Sequence, residues 1–263
     1  MIGINNLGLN GRLGNQMFQY AALVGIAKNL NYEYTIPNNN ELVNCFTLES
    51  CTNRQLVDGD EVILHESHEF CENLLTECPD DVTITGYFQT EKYFENVRDI
   101  IRKDFTFNNE IKKFASSLYS DLSDYVSIVV RRYEDNFDYV GCANNHRNLP
   151  IEYYEESMNN FGVNQKYIIC SNNIEWCKNQ KIFSRENIII NDIDVKNKGY
   201  FDLCIISSCR DFITANSSFS WWGAWLGNNE DKKVLAPKKW YGDGLSNINT
   251  KDLIPEKWIL INK

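Results

Sequence analysis

Two adjacent arginines carry the clearest chemical signal in this sequence. Arg131 and Arg132 directly follow residues 126–130, a nearly continuous apolar run typical of a buried parallel strand. Guanidinium groups present several N–H donors in one plane and can hold a phosphate bidentately. A structural ion pair is the alternative use of such residues. The pair therefore predicts either an anion site at the end of a strand or a pair of charges satisfied within the fold.

A serine-rich segment is a second candidate for anion binding. Residues 216–226 have the sequence NSSFSWWGAWL, in which Asn216, Ser217 and Ser218 stand where a helix would begin. Asn and Ser are preferred helix caps, and the free N–H groups of a helix start attract anions. Ordinary capping would explain the hydroxyl groups equally well. For the tryptophans of this segment, we favour core packing over stacking on a ligand.

Glycines mark a third segment, close to the N-terminus. Residues 8–16 have the sequence GLNGRLGNQ, which lacks the Gly-Lys-Ser/Thr ending of a Walker A loop. The segment also lacks the Gly-x-Gly-x-x-Gly spacing of dinucleotide-binding folds. A tight turn and a ligand-binding loop are both consistent with it.

The elements that position these segments are predicted by the hydrophobic pattern of the second half. Short apolar runs alternate with helix-like stretches there, and the runs occupy residues 126–130, 167–170, 188–190, 212–214 and 234–236. This alternation is typical of a parallel, doubly wound α/β sheet. Asn172 follows the second run as Arg131 follows the first. Because ligands bind beyond the carboxyl ends of such strands, we expect these polar residues to line one site.

The first half shows a similar but less regular pattern. Residues 2–4 and 82–85 indicate strands, and residues 17–27 carry apolar side chains at helical spacing. Helices are predicted near 91–103 and 108–120, whereas residues 38–80 give no clear signal. We therefore predict an α/β fold with two Rossmann-like domains facing a cleft. Residues 1–120 would form the N-terminal domain with the glycine-rich loop, on the acceptor side, and residues 121–263 the C-terminal ligand-binding domain.

Composition narrows the possible functions. The 263 residues carry a formal net charge of −10, which argues against a nucleic-acid partner because such a partner needs a basic face. The nine cysteines form no Cys-x-x-Cys pair, and reduced thiols in a cytoplasmic protein are the simplest explanation for them. We expect no metal site, no transmembrane segment and no secretory signal.

The order of the motifs identifies a resemblance. Residues 11–21, GRLGNQMFQYA, and residues 86–94, GYFQTEKYF, resemble the opening and middle motifs of the α-1,2-fucosyltransferases of glycosyltransferase family eleven. The stretch 202–226 resembles the C-terminal signature of that family, and 237–240 with 255–258 resemble its closing segment. The resemblance implies a GT-B fold and inverting transfer of L-fucose from GDP-fucose to a glycan hydroxyl, O2 of a terminal galactose being the favoured position. It also implies that no metal or other cofactor takes part.

The same resemblance implies roles for individual residues. Arg131 should bind the β-phosphate of the donor, and Ser218 and Ser220 should add hydrogen bonds there. Asp202 should accept hydrogen bonds from guanine, and Asn15 should lie near the phosphate and the reacting carbon. Around these, the donor site should include Gly14, Arg132, Asn172, Asn216, Ser217 and Phe219.

This chain departs from the related motif His-x-Arg-Arg-x-Asp. Val129 stands at the His position, and the Asp neighbourhood is occupied by Glu134 and Asp135. A carboxylate base would help to deprotonate the acceptor hydroxyl. Glu134, Asp135 and Asp138 are the candidates, and Glu134 is preferred because it lies closest to the arginine pair.

Three other functions remain open at the level of sequence. The missing His is consistent with a pseudoenzyme that binds a GDP-sugar without transferring it. An enzyme of the same fold could use another GDP-sugar, such as GDP-L-galactose or GDP-colitose. A glycan-binding module could use Trp221, Trp222 and Trp225 as a sugar platform, although that function leaves the arginine pair unexplained.

Overall fold

The chain folds into two compact α/β units. The computed structural model describes residues 1–51, 55–58, 60–63, 69–133, 145–194 and 198–263. One unit comprises Met1–Glu110 with Asn249–Pro255, and the other comprises Ile111–Ile248 with Glu256–Lys263. The sequence predicted one division, after residue 120. The structure instead divides the chain after Glu110 and returns the short segment Asn249–Pro255 to the first unit.

The first unit is built on a parallel sheet. Its four described strands are arranged in the order β2-β1-β4-β3, with every pairing parallel. The strands and helices of this unit are β1 (Ile2–Gly3), α1 (Leu13–Leu30), β2 (Tyr34–Thr35), α2 (Leu42–Cys45), β3 (Asp60–Ile63), α3 (Glu72–Glu77), β4 (Val82–Thr85) and α4 (Arg98–Asp104).

Helix α1 forms the centre of this unit. All of its residues from Gln16 to Ala27 are buried, so the helix is apolar around most of its circumference rather than along one stripe. Gly25 lies directly against the segment that follows β4, since a Cβ there would stand 1.8 Å from the Tyr93 carbonyl oxygen. Only glycine permits this approach of two backbones.

The second unit is built on a larger parallel sheet. Its six described strands are arranged in the order β10-β9-β8-β5-β6-β7, again with every pairing parallel. Helix α5 (Asn109–Leu118) leads into this unit. The elements that follow are β5 (Tyr125–Val130), α6 (Ile151–Met158), β6 (Lys166–Ser171), α7 (Ile174–Lys178), β7 (Ile188–Ile190), α8 (Tyr200–Ser207), β8 (Asp211–Ile213), α9 (Ser218–Leu226), β9 (Val234–Pro237) and β10 (Ile259–Ile261).

The predicted elements differ from the structure mainly in the first half. The helix predicted for 91–103 is two 3₁₀ turns, Glu91–Tyr93 and Glu95–Val97, followed by α4. The close approach of Gly25 to this backbone is a tertiary contact that a helical period cannot reveal. Further 3₁₀ turns lie at Leu122–Asp124, Lys181–Phe183 and Asp243–Leu245.

Residues 249–255 belong to the first unit and are joined to it by polar side chains: Asn249 and Lys251 contact Glu69, and Asp252 makes two further contacts. Asp252 accepts a hydrogen bond from the Phe70 amide at 3.1 Å and forms an ion pair with Lys92 at 2.5 Å. Burial acts to raise the pKa of Asp252, but the hydrogen bonds from Lys92 and the Phe70 amide, with the nearby charges of Lys92 and Lys251, lower it overall. The segment 249–255 is therefore anchored to residues that are far away in sequence.

A fully buried carboxylate, Asp104, ties α4 to α1 and to the segment after α2. It accepts hydrogen bonds from the Tyr20 hydroxyl at 2.6 Å, from the Ser50 amide at 2.7 Å and from the Ser50 hydroxyl. Three donors therefore converge on one side chain that has no exposed surface.

We expect Asp104→Asn to destabilise the protein by about 2 kcal/mol. The NH₂ group of the new asparagine would face the donors of Tyr20 and Ser50, so buried polar groups would lack hydrogen-bond partners. Urea unfolding measures this loss. Asp99→Asn, an exposed change on the same helix, should cost less than about 1 kcal/mol, and equal unfolding midpoints for the two variants would contradict the prediction.

The cysteines within the described ranges are free thiols, and all of them except Cys71 are buried.

Among the helices of the described residues, none combines the length and hydropathy needed to cross a bilayer.

Candidate active site

Polar residues collect at the carboxyl edge of the six-stranded sheet. Arg131 follows β5, Asn172 follows β6, Asn191 follows β7, and the segment 214–217 joins β8 to α9. The chain runs from β5 to β6 and β7 on one side, then returns to β8 on the other side of β5. The reversal makes the end of β5 and β8 a topological switch point, where open α/β sheets bind their ligands.

The two arginines have different surroundings. The guanidinium carbon of Arg132 lies 4.5 Å from the ring centre of Trp176. The Arg131 guanidinium lies 5.3 Å from the ring centre of Tyr133, and it forms no ion pair with any acidic residue in the described part of the chain. Arg131 is half-buried, so its charge is held at the sheet edge and is available to an anionic ligand. A structural ion pair, the alternative use of this arginine, is not found within the described ranges.

Asn172 holds the arginine segment in place. Its Oδ1 accepts from the Arg132 amide at 2.8 Å, and its Nδ2 donates to the Arg132 carbonyl at 2.8 Å. The side chain thus pairs with the backbone of the neighbouring strand end as another strand would. In this structure Asn172 therefore fixes the backbone that carries the two arginines.

The start of α9 stands beside this segment in the same unit. Ser217 is the N-cap residue, with φ −148° and ψ 130°, and its side chain makes no capping hydrogen bond. Ser217, Ser218 and Phe219 are half-buried. The first N–H groups of the helix therefore keep their capacity to donate to a ligand.

Asn216 and Ser220 face the interior instead. The Ser220 hydroxyl accepts from the Ala215 amide at 3.1 Å and lies 2.8 Å from the Ala215 carbonyl. The Asn216 amide donates to the carbonyls of Arg147 and Trp240, each at 2.9 Å. Both residues are almost fully buried, so in this structure they shape the loop. The expected contact between Ser220 and a phosphate stays a prediction.

The tryptophans of α9 belong to the core. Trp221 and Trp222 have no exposed surface, and Trp225 is 2% exposed. Trp221 also packs against Trp258, with the ring centres 5.4 Å apart. Burial of these three rings leaves no face of them open to a sugar, so the glycan-platform alternative is wrong and the prediction of core packing is confirmed.

Tyr133 is a site residue that the sequence did not single out. Its hydroxyl donates to the Asn216 carbonyl at 2.6 Å, and its amide donates to Asn148 Oδ1 at 2.8 Å. Its ring stacks on His146 at 4.7 Å. Tyr133 thereby connects the arginine segment to the loop that begins α9. A tyrosine directly after the arginine pair was the only signal, and nothing in its spacing showed where the hydroxyl would go.

Asp202 occupies the first turn of α8, at the same edge of the sheet. Its Oδ1 accepts from Asn191 Nδ2 at 2.7 Å, and Asn191 Oδ1 in turn accepts from the Tyr119 hydroxyl at 2.9 Å. Burial raises the pKa of Asp202 to about 6, and the hydrogen bond from Asn191 opposes the rise. A half-buried carboxylate held in this way is suited to accept from a ligand that carries N–H groups.

The glycine-rich loop belongs to the first unit. Gly8 and Gly11 have φ angles of 92° and 90°, which glycine adopts without strain. The loop leads into α1, whose first turn contains Gly14, which is buried, and Asn15, which is half-buried. Gln19 fastens the loop from below, since its amide donates to the carbonyls of Asn10 and Gly86 at 3.3 and 3.0 Å.

The predicted bases Glu134, Asp135 and Asp138 lie outside the described residues. The assignment of Glu134 as the base stays a prediction. Among the residues that the structure does describe, no three His, Cys, Asp or Glu side chains stand close enough together to hold a metal ion.

Comparison with known proteins identifies relatives across the length of the chain. The family model described as glycosyl transferase family 11 matches residues 66–262. The O-antigen biosynthesis glycosyltransferase WbnK of Escherichia coli is 24% identical, over 95% of this chain and 98% of that protein. An α-1,2-colitosyltransferase of E. coli is 29% identical, over 97% and 98%. Galactoside α-(1,2)-fucosyltransferase 2 of Sus scrofa is 24% identical, over 84% and 68%.

Solved structures share the architecture. The fucosyltransferase NodZ from Bradyrhizobium superposes with a TM-score of 0.52 at 10% identity, covering 84% of this chain and 91% of that one. NodZ α-1,6-fucosyltransferase soaked with GDP-fucose gives a TM-score of 0.53 at 10% identity, covering 86% and 91%. At this identity the likeness shows the fold alone. The predicted GT-B-like α/β architecture is confirmed.

Proposed function

Because the chain belongs to glycosyl transferase family 11, we propose that it transfers L-fucose from GDP-fucose to a hydroxyl of a glycan acceptor, with inversion at the anomeric carbon. The favoured acceptor position is O2 of a terminal galactose. Two relatives are named as α-1,2-transferases: one is a colitosyltransferase and the other is a galactoside fucosyltransferase. A structural neighbour was soaked with GDP-fucose. These comparisons support the donor class and the linkage.

The observation that carries the proposal is the available charge of Arg131 beside the start of α9. Breaking the bond between fucose and phosphate leaves negative charge on the departing diphosphate. Groups that are already oriented toward that charge stabilise the transition state more than the ground state. Arg131, the N–H groups at the helix start and the hydroxyls of Ser217 and Ser218 supply such groups at one edge of the sheet.

The nucleobase would be recognised by Asp202. Guanine presents two neighbouring donors, N1–H and the N2 amino group, and an ionised carboxylate can accept from both. The hydrogen bond from Asn191 holds this carboxylate in one orientation. We propose that Asn15, on the first unit, donates to the diphosphate, and that Gly14 permits the close approach of the backbone.

The acceptor hydroxyl attacks the anomeric carbon from the face opposite to GDP and gives up its proton. The transition state resembles an oxocarbenium ion, by analogy with glycoside hydrolysis. Glu134 is our proposed base, with Asp135 and Asp138 as alternatives. The acceptor itself would be an oligosaccharide or glycoconjugate.

A second donor has specific support. The colitosyltransferase relative matches 97% of this chain, and colitose is fucose without its 3-hydroxyl group. An enzyme that hydrogen-bonds this hydroxyl discriminates strongly against the sugar that lacks it. GDP-colitose is therefore the alternative donor to compare with GDP-fucose.

A GDP-release assay tests the proposal directly. The purified chain is incubated with GDP-fucose, GDP-colitose or GDP-L-galactose in the presence of galactose-terminated acceptors, and the product linkage is determined. We expect the highest kcat/KM with GDP-fucose and a 1,2-linked product. GDP binding without transfer to any acceptor would favour the pseudoenzyme, and faster turnover of GDP-colitose would favour the alternative donor.

We also expect the reaction to proceed without a divalent metal. Arg131 and the start of α9 provide positive charge at the place where a cation would otherwise offset the leaving diphosphate. Turnover should therefore be unchanged after extensive treatment with EDTA. Loss of turnover that only added Mn²⁺ or Mg²⁺ restores would contradict this expectation.

A further inference from the structure

The segment after β4 is held in a strained turn. Phe88 has a φ of 50°, a left-handed conformation that is uncommon for a bulky residue. The turn is closed by a 2.7 Å hydrogen bond from the Thr90 amide to the Phe88 carbonyl. The buried Phe88 ring packs edge-on against Tyr93 at 5.6 Å. Such strain persists where the surrounding structure imposes it, and it is concentrated at functional sites.

This strained turn places the side chain of Gln89 against the first helical turn of α1. Gln89 Nε2 donates to Asn15 Oδ1 at 2.9 Å. On the other side, Gly11 lies so close that a Cβ on it would stand 2.4 Å from Asn15 Nδ2. The Asn15 side chain is therefore confined between the strained turn and the glycine-rich loop.

This arrangement fixes which end of the Asn15 amide can meet a ligand. An asparagine amide has one acceptor end, the carbonyl oxygen, and one donor end, the NH₂ group. Gln89 occupies the acceptor end. Within the described residues no acceptor is bound to Asn15 Nδ2, so the donor end is the one that can contact an anion.

We propose that Gln89 is a positioning residue that fixes the Asn15 amide with its NH₂ group toward the diphosphate of the donor. The inference rests on the proposed function, because that function places the diphosphate near Asn15. This inference gives a role to Gln89 within the motif at residues 86–94. Gln89 holds the Asn15 side chain of α1, which contacts the donor, and does not contact the donor itself.

A double-mutant cycle tests whether Gln89 acts through Asn15. Asn15→Ala should weaken GDP binding roughly 10- to 100-fold, the range for a lost hydrogen bond to a charged group. Gln89→Met keeps the length of the side chain but removes its donor, and it should weaken binding about 3- to 10-fold. In the Asn15→Ala background, Gln89→Met should cause no further loss. Calorimetry gives each Kd, and Gln55→Met, an exposed change in the same unit, should leave it unchanged.

Gln89→Glu gives a second and opposite perturbation. A carboxylate accepts only, so Asn15 would turn its NH₂ group toward the introduced carboxylate and present its oxygen to the diphosphate. We expect a greater loss of affinity than in Gln89→Met. In the Asn15→Ala background the difference between the two changes should shrink to the effect of the added charge alone.

The outcomes are distinct. A wild-type protein that binds no GDP would overturn the proposed function and this inference with it. If the wild type binds GDP, two results would overturn the inference alone: unchanged affinity in Asn15→Ala, or an equal loss from Gln89→Met in both backgrounds. Thermal unfolding curves that match the wild type would show that the losses arise in binding rather than in folding.

Discussion

Replacing Arg131 with alanine should lower kcat/KM for GDP-fucose at least about 100-fold, which is equivalent to about 2.7 kcal/mol of transition-state stabilisation. The guanidinium group has no acidic partner within the described residues, and its contact there is the Tyr133 ring. Its removal should therefore disturb the fold little and the ligand site greatly. Steady-state kinetics with a fixed acceptor measures the effect.

Controls separate this charge effect from general damage. Arg185→Ala removes an exposed arginine of the same unit and should leave kcat/KM unchanged. Arg131→Lys keeps the charge but loses the planar pair of donors, so its kcat/KM should fall between those of the wild type and the alanine variant. Turnover by Arg131→Ala close to that of the wild type would refute the phosphate assignment.

The second large effect is expected at Asp202. Asp202→Asn should weaken binding of both GDP and guanosine about 100-fold, because an amide accepts through one oxygen and places a donor opposite the donors of guanine. Guanosine carries no phosphate, so the same loss for both ligands would assign the effect to the nucleobase. An affinity for guanosine equal to that of the wild type would contradict this role.

The pKa of Asp202 adds a dependence on pH. Its value of about 6 means that the carboxyl group becomes protonated as the pH falls through 6, and a protonated group accepts guanine poorly. Guanosine affinity of the wild type should therefore decline below about pH 6, whereas that of Asp202→Asn should stay flat. Calorimetry between pH 5 and pH 8 compares the two.

The raised pKa of Asp202 also predicts that the stability of the fold changes with pH in the direction opposite to the guanosine affinity. The native pKa lies above the ordinary value of 3.8, so the native state holds the proton more tightly than the unfolded chain does. This group therefore stabilises the protein most below pH 4, and the contribution is lost as the pH rises through 6. Asp202→Asn should unfold at a higher temperature than the wild type above pH 6, although it binds less GDP.

Much of this fold could be predicted from local sequence. Each apolar run predicted as a strand in the second half is a strand of the six-stranded sheet. The positions just after those runs meet at one edge because parallel strands share their carboxyl ends. The position of Arg131, Asn172 and Ser218 at one edge of the sheet therefore follows from the pattern of apolar runs, whereas their assignment to one ligand site stays a prediction.

The remainder depends on contacts between distant residues. A serine at a helix start can face a ligand or the loop behind it, and the spacing of Ser218 and Ser220 does not distinguish these cases. The bond from Gln89 to Asn15 joins residues separated by 74 positions. The turns at 91–97 likewise form against Gly25, which is a contact that helical periodicity does not encode. Such pairings are decided by packing rather than by local propensity.

The segment Asn249–Pro255 has a consequence for protein engineering and for the exchange of gene fragments among relatives. A gene cut after codon 110 would encode the first unit without Asp252, and the amine of Lys92 and the amide of Phe70 would lose their acceptor. The other fragment would keep residues 249–255 between β9 and β10 but would lack the first-unit residues that contact them. A chimaera that combines halves of two relatives must therefore take this short downstream piece from the same parent as the N-terminal half.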